Sequence, residues 1–204
     1  MPLLAALLAV GVGPYVAQDA LAAEGDGHDM QLDSARSHGS FQIKVMWLIS
    51  VTGRFGAIRG GVKTDRLRNQ VSVDARIDVA TIRMSSARDE AWVKSAEFFD
   101  AMKYPQIEFA SDAFPQTHLH EGGELPGLLT LHGVSRPVSF QLQPSTCARP
   151  AYDCPIEVAG TIRRSAFGMR AHHTTLGDKV KLHFAVYAIA PTPHADSTAV
   201  PPPP

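Results

Sequence analysis

The turn at residues 132–137 (His-Gly-Val-Ser-Arg-Pro) carries two side chains that could bind a polar group, His132 and Arg136. Imidazole can donate or accept a hydrogen bond near neutral pH, and guanidinium can bind an anion by charge-assisted hydrogen bonds. Both also have a structural interpretation, because turn side chains often bond nearby backbone and arginine stems often cover apolar surface. We favour the structural role for His132 and leave both roles open for Arg136. Both residues are nevertheless kept as candidate contacts for the polar headgroup of a ligand.

The other polar residues form no motif of a known catalytic or metal centre. His118 and His120 would lie on one side of a strand as a pair of imidazoles, but no carboxylate pattern completes a coordination shell. Residues 88–90 (Arg-Asp-Glu) suit the charged start of a helix better than an acid–base pair. The sequence contains no nucleophile elbow, phosphate-binding loop, dinucleotide fingerprint or HExxH motif. We therefore expect no metal, no cofactor and no catalysis.

Cys147 and Cys154 are the two cysteines of the sequence. In an oxidising compartment, such a pair would close a short loop as a disulfide. A zinc site is the weaker alternative, because two thiolates supply half of a tetrahedral shell and no histidine lies between them. We interpret the pair as a disulfide.

Alternation of apolar and polar residues predicts that β-strands build most of the chain. The alternation is clearest in residues 71–79, where Val71 and Val73 share one face and Ser72 lies on the other. The Gly-Gly pair at 60–61 predicts a bend or bulge at a barrel corner. The same period occurs in residues 41–47, 49–55, 107–109, 128–131, 138–142, 156–162 and 180–186.

Residues 85–104 switch to a helical period. Ser86 and Asp89 have the spacing of an N-terminal cap, a second short helix is predicted from Ser95, and Pro105 ends the segment. Strands of this kind can pack as a two-layer sandwich or close into a barrel without free edges. We favour an eight-stranded antiparallel barrel, wide enough inside for one small ligand, with the helical insertion capping one end.

Composition and terminal segments narrow the class of protein. The 204 residues carry 19 basic and 20 acidic side chains, a net charge of −1, which argues against a nucleic-acid-binding surface. Residues 1–22 combine an apolar run with an Ala-x-Ala pattern and are interpreted as a signal peptide, which predicts export, to the periplasm if the source is a Gram-negative bacterium. The rest is predicted to be a flexible N-terminus at 23–29, a folded domain at 30–189 and a disordered proline-rich tail at 190–204.

Several segments resemble, in the same order, the motifs of the YceI-like family. They are residues 53–55 (Gly-Arg-Phe) with 60–61, 88–90, 95–100 (Ser-Ala-Glu-Phe-Phe-Asp), 104–109 (Tyr-Pro-Gln-Ile-Glu-Phe), 129–138 (Leu-Thr-Leu-His-Gly-Val-Ser-Arg-Pro-Val) and 162–169 (Ile-Arg-Arg-Ser-Ala-Phe-Gly-Met). The resemblance implies an all-β, lipocalin-like barrel that holds an isoprenoid quinone or a polyprenyl lipid. Family members often carry histidine where Val45 and Ala91 stand, so their headgroup preference is not transferred.

With this resemblance, the apolar strand faces become a predicted ligand cavity. The cavity candidates are Phe41, Ile43, Trp47, Val73, Ile77, Ile107, Phe109, Leu129, Leu131, Phe140, Ile162 and Phe184. The expected function is to hold an isoprenoid lipid for carriage, storage or stress protection. The expected partner is that lipid and no nucleic acid, with transient membrane contact and a homodimer left open.

Two alternatives remain open from the residues. One is an exported enzyme that uses His132, or the region of His118 and His120, on a lipophilic substrate. The other is a barrel filled by its own side chains that acts through its outer surface. Clustered titratable groups inside a cavity would favour the first alternative, and the lack of a cavity would favour the second.

Overall fold

The computed structural model describes residues 29–189. The predicted signal peptide, the predicted N-terminal extension up to residue 28 and the predicted tail at 190–204 lie outside the described residues. Within residues 29–189, no helix is long and apolar enough to cross a membrane.

Antiparallel β-strands account for most of residues 29–189. The strands are β1 (Met30–Gln31), β2 (His38–Val45), β3 (Ile49–Phe55), β4 (Ile58–Asp65), β5 (Gln70–Asp78), β6 (Gln106–Ser111), β7 (Phe114–Pro115), β8 (Gly123–Leu131), β9 (Val134–Leu142), β10 (Ile156–Arg163) and β11 (Leu176–Val186). The α-helices are α1 (Ala87–Lys94) and α2 (His118–Glu121), and two 3₁₀ helices span Val79–Thr81 and Arg164–Phe167.

One sheet contains all of these strands and curls around the apolar interior. Its order is β1-β4-β5-β6-β8-β9-β10-β11-β2-β3, and β7 pairs with β5. The N-terminal segment links distant parts of the sheet: the Leu32 N–H donates to the Gly60 carbonyl at 2.9 Å, and the Asp33 N–H donates to the Tyr187 carbonyl at 2.8 Å. The predicted all-β, lipocalin-like class is confirmed.

The predicted count of eight strands is too low, because residues 58–65 form strand β4 rather than a bend. Gly60 pairs with Ala75 of β5 and has a φ of +140°, where a Cβ atom would overlap the carbonyl group of Asp74. The glycine is needed for close approach of two strands rather than to turn the chain. Strands β1 and β7 also escaped prediction, because two residues are too few to show an alternating pattern.

The helical insertion begins as predicted. The Ser86 hydroxyl accepts the Asp89 N–H at 3.1 Å, so Ser86 caps α1. The second predicted helix is wrong, because residues 96–99 form turns. Phe98 and Phe99 are both buried, and turn hydrogen bonds hold them there: the Phe98 N–H donates to the Ser95 carbonyl and the Phe99 N–H to the Val93 carbonyl, each at 3.1 Å.

The two cysteines and the pair His118 and His120 lie in connections between strands of the sheet. Cys147 and Cys154 form the predicted disulfide in the segment between β9 and β10. His118 and His120 lie in the short helix α2 rather than on a strand, so their predicted common face is wrong. The His118 ring packs against Phe114, with ring centroids 6.2 Å apart.

Candidate ligand-binding cavity

The inner face of the sheet and the inner face of α1 enclose a cavity of about 350 Å³. That volume falls within the range of about 300–1,000 Å³ that is typical of small-molecule sites. Apolar side chains dominate its wall, which includes three side chains with charged or hydroxyl groups, Asp89, Arg164 and Thr175. The cavity can therefore accept a largely apolar molecule with one polar end.

The two-residue period of the strands sorts side chains between the cavity and the outer surface. On β5, Val73, Ala75 and Ile77 line the cavity. The intervening Arg76 points outward, where its Nε lies 4.0 Å from a carboxylate oxygen of Glu108 on β6. Alternating hydrophobic residues thus become one apolar wall because successive strand side chains face opposite sides.

Aromatic rings narrow one part of the cavity. The Phe41 ring lies 5.1 Å from the Phe55 ring and 6.1 Å from the Phe99 ring, measured between centroids. Phe55 also stacks on Phe184 at 5.6 Å. A Cβ atom at Gly53 would overlap the Phe41 ring, so this glycine leaves the space that the ring occupies.

Arg164 is a buried cation of the cavity wall that the sequence interpretation missed as a site residue. Arg164 is only 3% exposed. The guanidinium donates to the carbonyl oxygens of Gly177 (3.1 Å), Met169 (2.8 Å), Ala171 (2.7 Å) and Leu176 (3.3 Å). Burial lowers the pKa of Arg164, and the nearby Asp178 carboxylate opposes this shift.

No local pattern in the sequence indicates the position of Arg164. Ile162 faces inward on β10 and lines the cavity, but β10 ends at Arg163 and Arg164 begins a 3₁₀ helix, so the two-residue period does not extend to it. Asp89 could have been found from helical spacing, because it precedes Trp92 and Val93 by three and four residues on α1. Those spacings place side chains on one face of a helix.

The structure places eleven of the twelve predicted cavity residues on the cavity wall. They are Phe41, Ile43, Val73, Ile77, Ile107, Phe109, Leu129, Leu131, Phe140, Ile162 and Phe184. The exception is Trp47, which is 75% exposed. Strand β2 ends at Val45, so the alternation that aligned Trp47 with Phe41 and Ile43 ends before this residue.

Comparisons with known proteins agree with this architecture. A family model of the YceI-like domain matches residues 30–188. The chain belongs to the YceI-like family. A UPF0312 protein of Pseudomonas putida (strain W619) is 30% identical over 139 residues, which are 67% of this YceI-like chain and 69% of that protein.

Two solved structures share the fold of this YceI-like protein. Burkholderia cenocepacia BcnA superimposes with a TM-score of 0.66 at 23% identity, covering 78% of this chain and 99% of that one. A domain from Saccharophagus degradans, described as polyisoprenoid-binding and implicated in plant cell wall breakdown, has a TM-score of 0.62 at 16% identity. The match covers 79% of this chain and 98% of that domain.

The family motif at residues 129–138 forms a structural corner of this YceI-like protein. His132 occupies the β8–β9 turn with a φ of +53°, and its ring lies 4.7 Å from the Tyr104 ring. Arg136 is exposed and donates from Nε to the Ala166 carbonyl at 3.4 Å. Neither residue belongs to the cavity wall, so the structure does not bring them to the cavity, and their contact with a ligand headgroup stays a prediction.

A cluster around Trp92 connects the helical insertion to the loop before β11. The Trp92 ring lies 4.5 Å from the Phe98 ring and 5.3 Å from the His172 ring, measured between centroids. Glu97 accepts the indole N–H of Trp92 at 2.8 Å and lies 2.9 Å from Nε2 of His172. Because Trp92 also lines the cavity, this cluster joins two elements at the wall.

This cluster should loosen in acid. The hydrogen bond with His172, followed by the one from Trp92, holds the pKa of Glu97 below its usual value of 4.5. A lowered carboxyl pKa means that the contact stabilises the fold above the unfolded-state pKa and loses this effect as pH falls through the folded-state pKa. We expect Trp92 fluorescence, measured in Trp47→Phe protein, to change with a midpoint below pH 4.5.

The Glu97→Gln variant should remove this transition, because the amide does not titrate in that range. Ligand dissociation should accelerate by less than about tenfold in this variant, since exposed polar contacts are weak. Glu121→Gln, at an acidic residue of α2, is the matched control and should retain the transition. An identical pH profile in the Glu97→Gln variant would contradict the assignment.

Proposed function

We propose that the protein binds an isoprenoid lipid inside the barrel and carries it through the periplasm. The observation that carries this proposal is the apolar cavity, whose wall is formed mainly by aliphatic and aromatic side chains. Burial of apolar ligand surface stabilises a complex by about 25 cal/mol per Å² before ordering costs are subtracted. A branched hydrocarbon tail supplies such surface with no polar group to desolvate.

The related S. degradans domain supports the ligand class, because it is described as polyisoprenoid-binding. The family membership of this chain supports transfer of that class as a hypothesis. The predicted signal peptide supports export, and an aqueous compartment between two membranes is where an isoprenoid would need a protein to enclose it. Catalysis has no part in this proposed function.

We infer further that the ligand headgroup is neutral, as in a quinone, rather than a pyrophosphate. An arginine has five N–H donors, and Arg164 already donates to four backbone carbonyl groups. One N–H donor therefore remains, which is too few to bind a pyrophosphate. Asp89 belongs to the same cavity wall, and its carboxylate would repel an anion. The Thr175 hydroxyl donates to the His172 carbonyl at 3.3 Å, so its oxygen can accept only from a headgroup hydroxyl, whereas a quinone carbonyl would need a donor such as the remaining N–H of Arg164.

The proposal is tested by identifying the lipid that copurifies with the protein. The full chain, expressed with its leader in a Gram-negative host, would be purified from the periplasmic extract without detergent. Native mass spectrometry and organic extraction should then reveal an isoprenoid quinone at near-stoichiometric occupancy. Empty protein that also fails to take up added quinone or prenyl alcohol would overturn the proposal, and preferential uptake of a prenyl pyrophosphate would overturn the neutral headgroup.

Neither alternative from the sequence gains support from the structure. The enzyme alternative relied on His132, or on His118 and His120, and none of these residues lies on the cavity wall. The filled-barrel alternative required that side chains occupy the interior completely, whereas a cavity of about 350 Å³ is present.

A further inference from the structure

The hairpin turn between β2 and β3 exposes a compact apolar surface, which we call the apolar tip. It consists of four consecutive residues: Met46 (62% exposed), Trp47 (75%), Leu48 (84%) and Ile49 (61%). Single exposed apolar residues are common on soluble proteins, but contiguous apolar patches usually mark an interaction site. The apolar tip therefore requires an explanation outside the packing of the barrel.

The backbone of the apolar tip adds a second reason to seek a function. Met46 and Trp47 have φ angles of +47° and +65°, and the Leu48 N–H donates to the Val45 carbonyl at 3.2 Å. Three residues separate β2 from β3, where Val45 pairs with Ile49, and bulky residues rarely adopt a positive φ in any turn. Bulky residues in this conformation destabilise the folded chain, and such local strain is commonly retained at functional sites.

The apolar tip is joined directly to the cavity wall. Val45 precedes it, Val51 follows it, and both of these residues line the cavity. The Met46 N–H donates to the Thr175 carbonyl at 2.7 Å, and Thr175 also lines the cavity. A surface bound by the tip would consequently lie against the rim of the cavity near one of its polar groups.

We propose that the apolar tip inserts into the surface of a lipid bilayer and holds the cavity rim against it. Tryptophan favours the membrane interface, where its ring meets hydrocarbon and its N–H meets water. A protein partner is a poorer fit, because stable protein interfaces involve roughly 20–30 residues on each side. The docking rests on the tip itself, and only its role in lipid transfer rests on the proposed function.

Positive charge beside the apolar tip suits a bilayer that contains anionic lipids. Lys44 is exposed next to the tip, and no ion pair of Lys44 occurs among residues 29–189. Arg170 is likewise exposed and shares a small pocket with Leu176, which pairs with Val45. Asp178 in that pocket is already engaged by Arg163 at 3.4 Å.

Vesicle flotation measures the proposed docking. Full-length protein would be mixed with phosphatidylcholine vesicles containing one quarter phosphatidylglycerol, and the bound fraction would give a partition constant. Leu48→Ser should lower this constant about tenfold, since burial of one leucine side chain is worth about a factor of ten or more, and Trp47→Ser combined with Leu48→Ser should lower it further. Leu67→Ser is the matched control, because Leu67 is a leucine at another hairpin turn and is 98% exposed.

A spectroscopic measurement locates the contact. Brominated lipids should quench the fluorescence of the parent protein, and Trp47→Phe protein, which reports Trp92 alone, should show little quenching. Equal loss of flotation in Leu67→Ser, or quenching unchanged by Trp47→Phe, would overturn the proposal. The proposal would also be overturned if neither tip variant changed flotation. It would be overturned as well if the parent protein did not float and instead formed a concentration-dependent dimer that the tip variants abolish.

Loading with detergent-dispersed quinone separates this proposal from the proposed function. Trp47 and Leu48 lie outside the cavity wall, so the double serine variant should load normally while its transfer of quinone to vesicles slows about as much as its docking weakens. Parent protein that docks but does not load would overturn the proposed function alone. Parent protein that loads but does not dock would overturn the docking proposal alone.

Discussion

Replacing Ala75 with tryptophan should weaken isoprenoid binding by about 100-fold or more while the barrel remains folded. Ala75 lies on the cavity wall, and its register neighbours are Gly60 on β4 and Phe109 on β6. An indole directed from this position would fill space that the ligand tail is proposed to occupy. It adds no charge, and the existing cavity gives it room, so overpacking of the core should be limited.

The measurement is a titration with a short-chain isoprenoid quinone, followed by native mass spectrometry, with thermal unfolding by circular dichroism as a check of the fold. Ala110→Trp is the matched control, because Ala110 is exposed on the neighbouring strand β6 and pairs with Asp74. The control should bind like the parent. Ala75→Leu should give an intermediate affinity and serves if the tryptophan variant unfolds. Parent-like affinity in both Ala75 variants would place the ligand elsewhere.

Replacing Arg164 with methionine should lower the free energy of unfolding by about 3–5 kcal/mol. The loss would leave four carbonyl groups, two in the connection before β11 and two at the start of β11, without the donor that now binds them. Methionine fills much of the same volume, so the unpaired carbonyls rather than a large void should dominate the effect. Arg164→Lys should be intermediate, because an ammonium group offers three donors.

Urea denaturation at constant m-value measures this effect. Arg163→Ala is the matched control, because Arg163 is the adjacent arginine, is exposed, and makes a 3.4 Å ion pair with Asp178. Its substitution should change stability by less than about 1 kcal/mol. An Arg164→Met variant as stable as the Arg163 variant would show that solvent or relaxed backbone satisfies those carbonyl groups.

Local patterns predicted the parts of the fold that depend on neighbours in sequence. Alternation identified the inward residues of β5, such as Val73 and Ile77, because strand side chains face alternate sides wherever the strand lies in the sheet. Ser86 was identified as a cap because capping involves residues within one helical turn. The disulfide was predicted from the pair of cysteines and their short separation.

Other features required the tertiary structure because they depend on contacts between distant segments. Strand β4 was not predicted, because the glycine at position 60 was interpreted as a bend. The reason for this glycine is the backbone of β5, which leaves no space for a Cβ atom. The Glu97–His172 contact joins residues 75 positions apart, and no local pattern indicates such a pairing. Trp47 is exposed because β2 ends before it. The sequence did not indicate this end, because apolar residues continue after Val45.

The sequence by itself therefore determined an all-β chain with one apolar face, a capped helical insertion and a disulfide, since these follow from local period and composition. It also directed attention to His132 and Arg136, the most recognisable polar residues, which the folded chain places at an outer corner. Only the tertiary structure decided that Asp89, Arg164 and Thr175 share the cavity wall. The physical reason is that a cavity forms between segments distant in sequence, whereas periodicity reports the face of each segment separately.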